Sequence, residues 1–384
     1  MNKRWWPLIS ASILYSALYL CRYNLAPVLS LLQDAFGWSN AQLGVLSSMI
    51  FFGYAIMLFP AGAMGDRVGS KKVIFAGVIL SITANLLFFY ILSYDQAATA
   101  MFLNGLGQGM VWAPLMKLMA NHYPKDKMDF IVGVLSTSAI LGPTLAIVFS
   151  GFLGSVYGWK VSFIFPPIIL ATLASTLLTV GERCKDMKIE SRVVDRRPMA
   201  DVLFNQDVWL VGFGYFSFYA TLRGFLSWMP TYLKVELGMS LFIASTLVGI
   251  YAFIGIIGGF VGVWFSRRSE ISKKMMISSS LASTIPLFII LPMVESHSAI
   301  ILFIAFFTLS LSGFLYFAYP PMFLPVEAMG TASGLIDALG YLGAFVGALS
   351  TGLIIEAYVS YAPAFYLLAV ITGLGAVAVL KVRD

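Results

Sequence analysis

The chain has 384 residues, 59% of them hydrophobic and 11% charged, with a formal net charge of +6. A soluble domain carries roughly 25% charged residues, so this composition excludes a soluble enzyme, a disordered chain and a collagen-like fibre. It points to an all-α membrane protein that crosses the bilayer many times.

The N-terminus, Met1-Asn2-Lys3-Arg4-Trp5-Trp6, leads into an apolar run from Pro7 to about Leu32. That run is longer than a signal-peptide core of roughly 7–15 residues, and no small-residue cleavage pattern follows. It is expected to stay as a first span. A helix needs roughly 20 apolar residues to cross the hydrocarbon layer. Twelve segments qualify, at about 7–33, 42–62, 72–93, 97–120, 130–153, 161–181, 208–233, 241–265, 273–294, 298–323, 331–355 and 362–381. Backbone groups in lipid must be satisfied within the segment, and the long unbroken apolar runs such as Phe163 to Leu178 argue for helices over barrel strands.

The polar linker from Glu182 to Asp207 divides the spans six and six. The expected organisation is an N-terminal six-helix bundle (1–181), a cytoplasmic linker (182–207) and a C-terminal six-helix bundle (208–384). With the N-terminus in the cytoplasm, nearly all Lys and Arg fall on the cytoplasmic side. Only Lys160 and Lys234 sit in outer loops, and Arg22, Lys117 and Arg223 sit within spans. This is the positive-inside pattern with both termini cytoplasmic. The basic balance therefore orients the chain and requires no nucleic-acid partner.

Cys21 and Cys184 are too few for a disulfide framework or a zinc site, and His122 and His297 both lie at segment ends. No metal or other cofactor is expected.

The segment after span two reads Gly62-Ala-Met-Gly-Asp66-Arg67-Val-Gly69-Ser-Lys71-Lys72. The one after span eight reads Gly262-Val-Trp-Phe-Ser266-Arg267-Arg268. Gly62 and Gly262, and Arg67 and Arg267, are each 200 residues apart, the mark of a chain built from two related halves. The first copy resembles the signature loop of the major facilitator superfamily, and the resemblance extends over nearly the whole chain. It implies a twelve-helix fold of two pseudo-symmetric six-helix bundles that rock about a central site. Gly62 would let helices approach, Gly69 would permit a tight turn, and Asp66 would pair with a base from a neighbouring span. With Arg67, Lys71 and Arg267, these residues would form a cytoplasmic gating latch. A plain solvated, topology-setting loop is the other reading.

A charge at the centre of a span costs about 2.5–3.5 kcal/mol even on the mild insertion scale, so it normally faces a cavity and has a task. Arg22 lies 15 residues into span one and Arg223 lies 15 residues into span seven. The two guanidiniums are thus expected at similar depth, one per half, where they would bind an anion in bidentate fashion. A structural salt bridge of Arg223 with Asp337 is the alternative. Tyr15, Tyr19 and Arg22 share one helix face and could hold an oxyanion or simply fill a core. Lys117, near the cytoplasmic end of span four, is expected to snorkel to the interface.

Tyrosines seven and three residues before a first-span arginine also resemble the organophosphate:phosphate antiporters, in which an arginine from each half grips phosphate. Tyr54 and the stretch Gln108-Gly109-Met110-x-Trp112-x-Pro114 are similar as well. This chain has Leu58 and Ala139 where those exchangers carry a lysine and a histidine. The stretch from Arg22-Tyr23-Asn24 to Gln42-Leu43-Gly44 equally resembles the anion:cation symporters, which carry sugar acids and other carboxylates with proton-carrying acids. Here Cys21 and Gln108 occupy those acidic positions.

The sequence therefore predicts a secondary transporter, not an enzyme, that carries a small organic anion, either a phosphorylated metabolite or a carboxylate, by alternating access. Arg22, Arg223, Tyr15, Tyr19, Tyr54 and Gln108 are the expected substrate-binding residues. Asp337 is the expected coupling residue, either competing with substrate for Arg223 or fixed in a salt bridge. Phosphate or a proton would be the coupling ion. Proton-coupled carboxylate symport and a non-transporting metabolite sensor are the competing readings. The protein is expected in the inner (plasma) membrane, acting as a monomer.

Overall fold

The computed structural model describes residues 5–124, 127–180, 202–269, 271–294, 298–316, 319 and 329–383. Linker residues up to Asp201, with Cys184, and His297 lie outside these, as does the side chain of Ala139.

Every regular element among the described residues is helical. In chain order the α-helices are α1 (Trp6–Arg22), α2 (Leu25–Phe36), α3 (Asn40–Val68), α4 (Ser70–Phe89), α5 (Tyr94–Gly109), α6 (Trp112–His122), α7 (Met128–Tyr157) and α8 (Phe165–Leu178). After the linker come α9 (Gln206–Val235), α10 (Leu241–Arg268), α11 (Lys273–Ile290), α12 (Ser298–Ser310), α13 (Met329–Tyr358) and α14 (Ala362–Leu380). A 3-10 turn (Trp159–Phe163) leads into α8. Among the described residues, seven helical segments are long and apolar enough to cross a membrane on their own, and shorter apolar helices accompany them.

Two predicted spans are not single helices. Span one breaks at Tyr23-Asn24 into α1 and α2, and span four breaks at Met110-Val111 into α5 and α6. Proline supplies the cause in both places. Pro27 and Pro114 have no N–H to donate to the carbonyls four residues back, those of Tyr23 and Met110. At the first break the Asn24 side chain donates to Asn85 Oδ1 at 2.8 Å and to the Ser162 carbonyl at 2.9 Å, which ties the irregular segment to its neighbours. Arg22 thus ends α1, and Gln108 lies in the last turn of α5. Irregular backbone at membrane depth is tolerated where protein or a cavity satisfies it.

The chain forms two compact units. Unit 1 comprises residues 1–38, 49–191 and 233–249; unit 2 comprises 39–48, 192–232 and 250–384. In unit 1 Lys234 donates to Ser30 Oγ at 3.1 Å and lies 3.5 Å from the Asp34 carboxylate. In unit 2 the Asn40 backbone N–H donates to Glu356 at 2.8 Å.

Small residues set the helix spacing in unit 1. The Gly105-x-Gly107-x-Gly109 run of α5 uses its two edges differently. A methyl group on Gly105 would strike the Ile50 carbonyl of α3, and one on Gly109 would come within 2.9 Å of the Tyr54 carbonyl. Gly107 faces the other way, where a methyl group would lie 2.6 Å from the Gly77 carbonyl of α4. Close backbone approach of this kind is how helices associate without a hydrophobic driving force. Unit 2 repeats the device, with Gly343 and Gly347 of α13 set against the backbone at Phe216 and Ala220 of α9.

The signature segment is mostly not a loop. Helix α3 runs through Val68, so Gly62, Asp66 and Arg67 occupy its last turns. Gly69 alone takes the positive φ, +96°, that turns the chain into α4. Gly62 is not the close-approach glycine: a methyl group there would meet only Ala113 Cβ at 3.9 Å, whereas one on Gly65 would meet Pro114 at 3.3 Å. Asp66 pairs with Lys117 at 2.5 Å, and Lys117 also reaches the Gly65 carbonyl at 3.4 Å. Lys117 thus meets an exposed acid at the end of its reach. Lys71 donates to the Val180 carbonyl. Its counterpart Lys274 donates to the Val382 carbonyl at 3.2 Å. A cation thus sits on a carbonyl just past the C-terminal end of the last span in both halves, where the helix dipole favours it. Arg267, like Arg67, lies on the last turn of its helix.

Candidate functional site

Unit 1 gathers five of the predicted residues around Arg22. Arg22 is 3% exposed, and its guanidinium donates from Nε and Nη2 to Gln108 Oε1 at 3.1 and 2.9 Å. The same carbon lies 4.6 Å from the ring centres of Tyr19 and Tyr54. Two aromatic faces and an amide thus fix a cation that an uncommitted side chain could not hold at this depth. Tyr15 joins the cluster through its hydroxyl contacts with Tyr19 and Tyr54 and packs on Trp112 with ring centres 5.0 Å apart. Tyr19 fits because residue 142 is glycine: a methyl group there would sit 2.5 Å from Tyr19 Cβ.

Gln108 is itself anchored from behind. Its Nε2 donates to the Leu18 carbonyl at 2.9 Å and to Ser81 Oγ at 3.1 Å. Ser81 donates to Asn104 Oδ1 at 2.7 Å, and Asn104 Nδ2 caps the Cys21 carbonyl at 2.7 Å. The Cys21 carbonyl, one of the last of the broken helix α1, is therefore satisfied by a side chain. This leaves Gln108 oriented with its oxygen toward Arg22.

Unit 2 holds a second cluster around Arg223. Its guanidinium carbon lies 5.1 Å from the Tyr219 ring centre, and Arg223 is 8% exposed. Tyr219 packs edge-on against Tyr341 at 5.5 Å. Tyr215 hydrogen-bonds with Tyr219, and both Arg223 and Asp337 act on its hydroxyl electrostatically. Asp337 is half-buried one helical turn before Tyr341 on α13. Gly340 makes room for the Tyr215 ring just as Gly142 does for Tyr19.

Sequence reasoning did not name Tyr215, Tyr219 or Tyr341 as site residues. A signal existed: Tyr215 and Tyr219 follow Tyr15 and Tyr19 by 200 residues, the offset of the loop repeat. The Asn24–Asn85 and Ser81–Asn104 supports were also missed, and they carry no local motif.

Known proteins resemble the chain over most of its length. The chain is 25% identical to a hexuronate transporter of Bacillus subtilis over 94% of its own length and 90% of that protein. It is 26% identical to a glycerol-3-phosphate transporter of the same organism over 87% of this chain and 82% of the relative. Among solved structures, a bacterial homologue of the human lysosomal transporter Spinster superposes with a TM-score of 0.81, at 17% identity and over 100% and 95% of the two chains. The Major Facilitator Superfamily model matches residues 11–348. The chain is thus a multi-pass membrane transporter rather than an enzyme, and it belongs to the Major Facilitator Superfamily.

Proposed function

We propose that this superfamily member moves a small organic anion across the inner membrane by alternating access, with both termini cytoplasmic. Arg22 and Arg223 each supply a guanidinium to the anion, and Tyr15, Tyr19, Tyr54 and Gln108 line its path. The observation that carries this reading is Arg22 itself. It is a permanent cation buried at the end of a broken helix, bonded to a neutral amide and flanked by two tyrosine rings. A charge held this deep in a span ordinarily faces a cavity and has a task. The hexuronate and glycerol-3-phosphate relatives support the class of cargo. The latch residues Gly62, Asp66, Arg67, Gly69, Lys71 and Arg267 would set the rate of interconversion between states.

The test is a thermal-shift and counterflow panel on purified protein. Glucuronate, glycerate, glucose 6-phosphate and glycerol 3-phosphate are compared with uncharged glucose and glycerol. Stabilisation and counterflow by charged solutes only is the expected result. Equal responses to glucose or glycerol would contradict the reading.

Gln108 also makes a prediction about coupling. In Gln108→Glu an ionised carboxylate would pair with Arg22 and compete with an incoming anion. Anion affinity of the variant is expected to fall about tenfold at pH 7.5 and to stay low at pH 5.5, because the adjacent guanidinium holds the carboxylate ionised, while the wild type shows no such loss for a carboxylate. Binding titrations at the two pH values check this.

A further inference from the structure

We infer that the transported anion carries one negative charge, as in a carboxylate or sulfonate, rather than the two of a phosphate monoester. This rests on the anion-site reading above and narrows it. Arg22 and Arg223 are the cations deep within spans, and Asp337 is the only acid within any of the twelve predicted spans. Lys117 does not add to the balance, because Asp66 lies 2.5 Å away. The embedded groups therefore carry an excess of one positive charge.

The described contacts of the two arginines agree with that balance. In unit 1 Arg22 is met by Gln108, Tyr19 and Tyr54, all neutral, with Asn104 and Ser81 behind them. In unit 2 Arg223 shares the Tyr215–Tyr219 pair with Asp337, so cation and acid already stand in one cluster. A monoanion brings the embedded total to zero. A dianion leaves one negative charge in a medium far less polarisable than water, where an unmatched charge is costly. A phosphate monoester carries about −1.5 to −2 at pH 7, with a second pKa near 6, so its burden depends on pH in a way that a carboxylate's does not.

That difference supplies the test. Glucuronate is compared with glucose 6-phosphate, and glycerate with glycerol 3-phosphate, by binding titration at pH 7.5 and pH 5.5. Each pair shares a skeleton and differs chiefly in the charged group. At pH 7.5 the carboxylate is expected to bind at least tenfold more tightly. At pH 5.5 the phosphate ester becomes mostly a monoanion, and its affinity relative to the carboxylate should rise roughly 20-fold. A phosphate ester that binds as tightly or more tightly at pH 7.5, or gains nothing on acidification, overturns the inference and leaves the anion reading intact. Equal binding of glucose and glycerol would instead overturn the anion reading. In Asp337→Asn the excess becomes two, and the pH 7.5 preference should move at least tenfold toward phosphate, while Asp337→Glu keeps the wild-type preference. An unchanged preference in a folded Asp337→Asn protein also overturns the inference. The wild-type pH comparison decides the matter even where that variant does not fold.

Discussion

Arg22→Ala is expected to weaken binding of the transported anion by at least about 100-fold, or about 2.8 kcal/mol at about 1.4 kcal/mol per tenfold. Charge-assisted hydrogen bonds from a guanidinium to an oxyanion are among the stronger polar contacts, and bidentate geometry adds direction. The substitution also leaves Gln108 Oε1, which is fully buried, without the two donors that now reach it. Ligand-free stability should therefore fall as well, by about 1–3 kcal/mol, the usual cost of an orphaned buried acceptor. Arg22→Lys separates the two effects. It keeps the charge but loses the fork that grips one oxygen with Nε and Nη2, so an affinity loss of about tenfold is expected with a smaller fall in stability. Equilibrium titration with detergent-purified protein, alongside a thermal melt without ligand, reads both quantities.

Gly105→Val is expected to prevent assembly of the native protein. A Cβ at position 105 would overlap the Ile50 carbonyl and lie 3.0 Å from the Tyr54 backbone nitrogen, and these are backbone atoms that cannot rotate aside. Helices α3 and α5 would have to separate, which would carry Tyr54 away from Arg22. Overpacking of a tight core costs about 1–3 kcal/mol even when neighbours can shift, and here backbone meets backbone. The variant should elute as aggregate or show no cooperative melt on size exclusion and thermal denaturation. Gly133→Ala in α7 is the matched control, since nothing lies within 4 Å of its added methyl group. It should be neutral or slightly stabilising, because alanine favours helix over glycine by up to about 1 kcal/mol.

The composition and charge distribution made much of the fold legible. Apolar run length marks the spans because lipid imposes one length on all of them. The 200-residue offset between Arg67 and Arg267 exposed the two-fold construction. The breaks at Tyr23-Asn24 and Met110-Val111 stayed hidden, because hydropathy counts side chains and not backbone hydrogen bonds. Pro27 and Pro114 were the visible hints, but proline also sits inside unbroken helices of this chain, at Pro60 in α3 and Pro230 in α9. Within the site, Arg22 announced itself as a charge in lipid, and Tyr15 and Tyr19 followed from helical spacing. Tyr54 and Gln108 could be named only by resemblance, because they reach Arg22 from α3 and α5 through glycine-mediated helix contacts that no local pattern encodes. Tyr215 and Tyr219 were missed for a different reason. Arg223 falls one residue out of register with the 200-residue repeat, so the tyrosines were not carried across with it. The Gly62 expectation failed because the segment continues as helix, which passes the close contact to Gly65.

The claim on which the account depends is that guanidiniums from both halves touch the transported anion. An experimental structure of the protein with the tightest-binding solute of the anion panel tests it most directly. The account predicts oxygens of the anionic group within about 3 Å of the guanidinium nitrogens of both Arg22 and Arg223. An anionic group bound away from either arginine, with that guanidinium still held only by its own protein neighbours, would contradict it.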